Sequence, residues 1–451
     1  MTPTRPAVAL VLLAALPPRA PAQSLPAVRP VGRVERFTTD TLHSVAAAIP
    51  MSGGRVLIND ITARRLLLFD STLAHPIVVA DTTSGTASAY GERPGRLIRF
   101  RGDSALFIDA GSLSMFVIGP TGAIARVMAV PRPADAFALV NAGFGAAAVD
   151  SRNRIVYALG QGLSYAMLTV GAKISDPPPG PPGVREAYNQ RADSGWIVRV
   201  DLGTHQLDTV SSLHIPRVAR TVTTDASGLI TAFKMIPDAV PIVDDWVVRP
   251  DGAIAIVRGR DFHIDWIGTD GRMTSTGKIP FDWHRLTDDE KRARIDSALA
   301  PIQRNVEMIV ARRADILAGR ATGGTARGGA GGTGGRGGSG DGGGTPPPRR
   351  TGPTEMIPII PTAPELSQLP DYAPAFALSD TRADLEGNLW IRTTAMAGGQ
   401  PIYDIVNAKG ELTDRVQLPP FRAIAGFGPG VVYLGVSDPS GAVHLERARI
   451  K

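Results

Sequence analysis

The chain contains no cysteine. That absence excludes disulfides, thiolate-ligated zinc, a nucleophilic cysteine and a lipidated N-terminal cysteine. An exported chain of this composition has only packing to hold it together, which favours a large closed fold. Lysine is sparse, so the formal charge of +6 and the pI near 9.8 come almost wholly from arginine. The arginines are scattered and form no Lys/Arg run of five or more. They read as background composition, and no nucleic-acid partner is expected. The familiar catalytic signatures are missing as well: HExxH, GxSxG, Walker A, GxGxxG and the EF-hand loop. The 7 histidines include no pair at metal-ligand spacing. No apolar run approaches the roughly 18 residues of a membrane span.

What is present begins with a leader. Arg5 supplies a positive n-region, Ala7 to Leu16 an apolar stretch, and Ala20-Pro21-Ala22 before Gln23 a small-x-small cleavage pattern. Residues 1–22 are expected to be a signal peptide cleaved after Ala22, making the mature chain secreted or periplasmic.

Glycine (50) and proline (38) are abundant among 451 residues, which implies many turns. They fall at regular spacing. One unit runs Asp103-SALFIDAGSLSMFVIGPT-Gly122 and then AIARVMAV-Pro131; another runs Gly252-AIAIVRGRDFHIDWIGTD-Gly271 and then RMTSTGKI-Pro280. In both, the turn-to-turn spacing is 19 and the Gly-to-Pro spacing 9. Gly387-NLWIRTTAMAGGQPIYDIVNAK-Gly410 followed by ELTDRVQL-Pro419 repeats the pattern with spacings of 23 and 9. RVLIN, ALFID, RIVYAL, AIAIV, NLWIR and VVYLGV are the matching strands of six units. Six such antiparallel units are what a propeller requires. The fold class is therefore an all-β, six-bladed β-propeller. Its last unit lacks an outermost strand, and RVERFTT at 33–39 has no partner of its own, so this N-terminal strand is expected to close the ring.

Segments such as VLINDITARRLLLFD and DLEGNLWIR resemble the six-bladed propellers of the NHL and TolB-like groups, over 33–280 and 371–451. The resemblance implies fold and does not carry a function.

The expected organisation is a signal peptide at 1–22, blades 1–4 with the closing strand at 33–280, a helical insertion at 281–317, a disordered Gly/Arg/Pro-rich linker at 318–353, and blades 5–6 at 371–451. Residues 161–194, 217–242 and 281–370 interrupt the repeat. The last begins with Thr287-Asp288-Asp289-Glu290, a capping box. Ile295, Leu299, Ile302, Val306 and Ile309 then form one helical stripe, in which Pro301 is expected to kink or divide the helix. All three insertions follow positions where strands reach the same, upper face.

Candidate site residues were sought on that face. Asp261-Phe262-His263-Ile264-Asp265, beside Arg258 and Arg260, is the densest polar cluster. It has the groups to hold a metal or position an anion, although alternating Asp, His and Asp along a strand edge is more often a solvated face. Asn59-Asp60 with Arg64-Arg65 takes the equivalent loop of blade 1, where an aspartate ties a loop by accepting backbone N–H bonds. Asp109 and Arg392 sit at matching strand ends. The candidate ligand-binding set is thus Asp60, Asp109, Arg258, Asp261, His263 and Arg392. Trp196, Trp246, Trp266, Trp283 and Trp390 are expected between blades.

The leading functional expectation is a monomeric, exported binding module, without cofactor, for a protein, peptide or glycan at its top face. The alternatives are a structural scaffold, or a metal-dependent hydrolase or lyase of the lactonase-like propeller type. By analogy the latter needs a divalent metal such as calcium and Asn141, Asp245, Asn388 and Asp60 near the axis.

Overall fold

The computed structural model describes residues 25–83, 89–141, 143, 145–160, 184–186, 194–216, 219–224, 230–317, 359–376 and 379–451. For 184–186, 219–224, 230–233 and part of the C-terminal end of the long helix, only the backbone is considered. The leader and the Gly-rich tract of 318–353 lie outside the described residues.

Six four-stranded antiparallel sheets follow one another around a ring. Their second strands are Val56–Asp60, Ala105–Asp109, Arg154–Leu159, Ile254–Arg258, Leu389–Ala397 and Val431–Ser437, the segments that the repeat singles out. Each is apolar on both faces because successive side chains alternate. In blade 1, Val56 and Ile58 pack with Tyr433 and Leu445 of blade 6, while Leu57 packs with Leu97 and Phe107 of blade 2. The same division generates an apolar layer at every other blade junction. The ring is therefore one continuous core. Trp246 and Trp390, 1% and 0% exposed, lie in these layers, whereas Trp196 and Trp283 stand 42% and 41% exposed.

Tight turns join first to second and third to fourth strands. In these turns an Asp or Asn side chain often accepts amides two and four residues on, as Asp384 does from Glu386 and Asn388 and Asn407 from Lys409 and Glu411. The turn glycines hold φ near +85°, as at Gly252 and Gly387, a conformation that other residues rarely take.

The ring closes where expected. Val34–Phe37 pairs antiparallel with Val443–Arg449 as the outermost strand of blade 6. The latch ends in a buried clasp: Thr38 N donates to Leu445 O (2.9 Å), and Leu445 N donates to Thr38 Oγ1 (3.0 Å). A second latch was not expected. Val28–Pro30 adds a parallel fifth strand to blade 5, and Arg29 forks onto Asp414 there. One N-terminal segment thus staples the last two blades.

The three insertions leave the ring on one face and combine. Val184–Glu186, Ala219–Thr224, Ile230–Ile236 and Ile359–Pro361 form a seventh sheet outside the ring, with contributions from all three insertions. The helix Asp288–Leu317 packs beside it. Thr287 and Glu290 make the capping box: Thr287 N donates to Glu290 Oε2 (2.8 Å) and Glu290 N to Thr287 Oγ1 (3.3 Å). Ile295 and Leu299 are buried against Val240, Leu286 and Leu369, and Ile302 and Val306 are half-buried. The helix runs through Pro301 undivided. Lys291, in the first turn of the helix, is buried and pairs with Asp371 at 3.1 Å.

Blade 5 contains a buried pair, Asp404–Arg415, at 3.1 Å. Burial pushes the Asp404 carboxyl up to about 6, against the pull of Arg415.

Two outcomes follow for stability. Thr38→Val leaves a buried amide unsatisfied and is expected to cost about 1–3 kcal/mol in urea unfolding. For Asp404 the folded state holds its proton more tightly than the unfolded chain does. Its stabilising contribution is full below about pH 4 and is lost as pH rises through about 6. Asp404→Asn is expected to remove that downward component from the pH 4–6 stability profile, as measured by unfolding midpoints against wild type.

Candidate functional site

The loops between second and third strands hold the residues that the sequence singles out. Asp60 is the last residue of its strand and is fully buried. It accepts from His43 N (3.1 Å), Ser44 N (2.9 Å) and Arg65 Nε (3.0 Å), tying down the connection that arrives from blade 6. Asp109 occupies the same position in blade 2 and accepts from Gly111 N (2.9 Å) and Ser112 Oγ (2.6 Å). Arg258 is the blade 4 counterpart. It bridges Asp244 and Asp265, each at 2.7 Å, and reaches Ser212 O at 3.0 Å. Asp60 and Arg258 turn towards the preceding blade and bind its incoming connection, whereas Asp109 ties down its own second-to-third-strand loop. The three occupy equivalent places but do not converge on the axis.

Asp261 and His263 form a local group. His263 Nδ1 lies 2.6 Å from Asp261 and Nε2 3.3 Å from Asp265, whose Oδ1 also accepts from Ser275 Oγ at 2.5 Å. Burial raises the Asp265 pKa, but bonds from Ser275 and Arg258 outweigh it and hold the carboxyl below its ordinary range. Among the described residues no group of three His, Asp or Glu side chains is arranged to hold a metal ion.

Arg392 sits one residue short of the Asp60 register, counted from the turn preceding each strand. Alternation therefore turns it to the other face, towards blade 6. There it donates to Asp380 at 2.8 Å and lines a cleft of about 380 Å³ between blades 5 and 6. Arg382, Arg422, Tyr403, Gln400 and Phe421 line the same cleft. Arg422 forks onto Glu446 through Nε (2.7 Å) and Nη2 (2.9 Å). Burial, with Asp380 nearby, pushes the Tyr403 phenol up to about 12. Phe421 is 59% exposed on the rim with φ at +62°, a backbone state that is costly for a large side chain.

Arg382 differs from its neighbours. It begins the innermost strand of blade 5, and its Nη1 donates only to the carbonyls of Ser379 (2.9 Å) and Thr381 (3.0 Å). No carboxylate of the described residues lies within ion-pair distance. The opposite blade supplies a second such residue, Arg96, at the start of the innermost strand of blade 2. Its Nε donates to Val140 O at 3.2 Å, again without a carboxylate. Burial, with Arg382 nearby, pulls Arg96 down to about 10. Gly145 N donates to Ser379 Oγ at 3.2 Å, joining the connection into blade 3 to the one into blade 5. A Cβ on Gly145 would overlap the Trp246 indole, so only glycine allows this approach.

The groups that metal chemistry would draw on are engaged elsewhere. Asp245 does stand on the innermost strand of blade 4, but its two oxygens accept from Trp246 N (3.0 Å) and Thr381 N (2.8 Å), and burial raises its pKa. Asn388 lies at a tight turn on the opposite face, bonded to Asp384. Asn141 closes a turn onto Gly143 N.

Arg96, Arg382, Tyr403 and Phe421 were not singled out by sequence. One signal was available: the innermost strands of blades 1 and 3 read AAIP and AV, whereas those of blades 2 and 5 begin with arginine.

No family model and no curated protein matches this chain. Among solved structures, similarity is found to a catalytically inactive virginiamycin B lyase from Staphylococcus aureus with quinupristin, at 9% identity and a TM-score of 0.37, covering 93% of this chain and 99% of that one. The calcium-binding protein regucalcin from Agrobacterium tumefaciens gives 10% identity and a TM-score of 0.38, covering 94% and 98%. An exported protein of Bacteroides fragilis gives 8% and 0.42, covering 96% and 97%. The blade count rests on the hydrogen-bonded sheets of the chain itself.

Asp60→Ala is expected to destabilise the protein by about 1–3 kcal/mol, through amides left unpaired in the blade 6 to blade 1 connection. Chemical denaturation should register that loss as a lower unfolding midpoint than wild type.

Proposed function

We propose that this protein is an exported, non-catalytic binding module whose top face takes an acidic ligand, a peptide or sugar acid, in the cleft between blades 5 and 6. The observation that carries the reading is the Arg382 guanidinium, which lines the cleft without a carboxylate partner among the described residues while Arg392 and Arg422 beside it are paired. A guanidinium with free N–H groups in a half-enclosed pocket matches a carboxylate in charge and geometry. The cleft volume is that of a small-ligand site. Phe421 on the rim offers an apolar ring over which the body of such a ligand would lie. Arg392, anchored by Asp380, is positioned to make a second contact with the ligand. The leader that would carry the chain out of the cytoplasm rests on residues 1–22, and among the described residues no helix is long and apolar enough to cross a membrane.

A thermal-shift panel of sugar acids and short acidic peptides tests the reading. At least one is expected to raise the melting temperature saturably. Arg382→Gln should weaken that ligand by about 10- to 100-fold, the worth of one or two charge-assisted hydrogen bonds. Undiminished binding by this variant would place the ligand elsewhere.

A further inference from the structure

We propose that the channel axis carries an oxyanion site between Arg96 and Arg382. The site shares Arg382 with the cleft, but its argument stands apart from the cleft's ligand and rests on the balance of charge and donors at the mouth.

In a six-bladed ring the innermost strands of blades 2 and 5 are diametrically opposed, and each begins with an arginine. The connections that precede and follow these strands meet across the mouth. Arg96 bonds to Val140 O, and the chain that continues from Val140 returns through Gly145 N to Ser379 Oγ, three residues before Arg382. A guanidinium has five N–H donors. Arg96 places one on a described acceptor, and Arg382 directs only Nη1 at carbonyl oxygens. The carboxylates nearby are committed. Asp380 binds Arg392, and Asp245 is buried with both oxygens on backbone amides.

Two half-buried cations on opposed inner strands thus keep spare donors and form no ion pair among the described residues, the carboxylates nearest Arg382 being engaged elsewhere. Desolvation and mutual repulsion both oppose that arrangement, and Arg96 is held well below the usual arginine range as a result. An oxyanion resolves it by accepting N–H bonds from both sides. Phosphate, sulfate and carboxylate share the needed chemistry. The inner strands of blades 1 and 3, AAIP and AV, begin with alanine and bring little side-chain bulk to the axis. The anion has two sources: a free inorganic ion, or the acid group of a ligand that enters from the cleft and ends on the axis.

The test uses the full mature chain in Hepes at fixed ionic strength maintained with potassium chloride. Inorganic phosphate is titrated while the melting temperature is followed. Wild type is expected to gain roughly 2–4 °C with a saturable dependence. Arg96→Gln should abolish the gain and, without phosphate, melt no lower than wild type, because the repulsion is gone. Arg96→Lys retains the charge and should retain a weakened response, which keeps the test decisive if the Gln variant folds poorly. Equal responses in wild type and Arg96→Gln, or a rise that merely tracks salt, would overturn the proposal and leave the cleft reading untouched. If Arg96→Gln loses phosphate binding yet takes the cleft ligand as wild type does, the axial anion is a free ion. If it loses both, the acid group of the ligand is the axial anion.

Discussion

The structure depends on one constraint: a blade cannot bury its own faces. The second strands place alternate residues on opposite sides, so that Val56 and Ile58 need blade 6 while Leu57 needs blade 2. Each apolar layer exists only if both its blades are present. Closure is therefore a condition of the core. It is reached by returning the N-terminal segment to the last two blades, as an antiparallel strand on blade 6 and a parallel one on blade 5. With no cysteine in the chain, hydrogen bonding and packing supply the whole of that clasp.

The same constraint explains where variation is allowed. Tight turns on one face are fixed by Asp and Asn side chains and by glycines at positive φ. The opposite face carries every long insertion. Those insertions are not three independent loops, since their strands pair with one another in a seventh sheet flanked by the helix at Asp288–Leu317. In the described strands, backbone groups of one insertion are satisfied by those of another.

At the top mouth, the polar residues divide into two kinds. Asp60 and Arg258 spend their bonds on connections between blades and Asp109 on the loop of its own blade, which makes all three part of the architecture. Arg96 and Arg382 also bond to such connections, but only to backbone carbonyls, and neither forms an ion pair among the described residues. A guanidinium that bonds only to backbone carbonyls keeps N–H donors to spare, and the proposed ligand contacts rest on that surplus.

Blade number, the order of strands, the closing segment and the capped helix were legible in the sequence because they follow from local rules: short apolar runs rich in β-branched and aromatic residues, turn residues at fixed spacing, and Thr287 with Glu290 at helix-cap spacing. The second latch was not legible, since Val28–Pro30 is three residues long and gains its meaning only from Arg415–Gln417, nearly 400 positions away. The site was half legible. Sequence could mark Arg392 as a charged residue near a strand end, but a one-residue offset in register decided that it faces blade 6 and the cleft. Arg96 and Arg382 lie far apart in the chain and were ordinary arginines in an arginine-rich sequence. Ring closure alone brought them to face each other, because the distance across a closed ring is set by the number and packing of its blades.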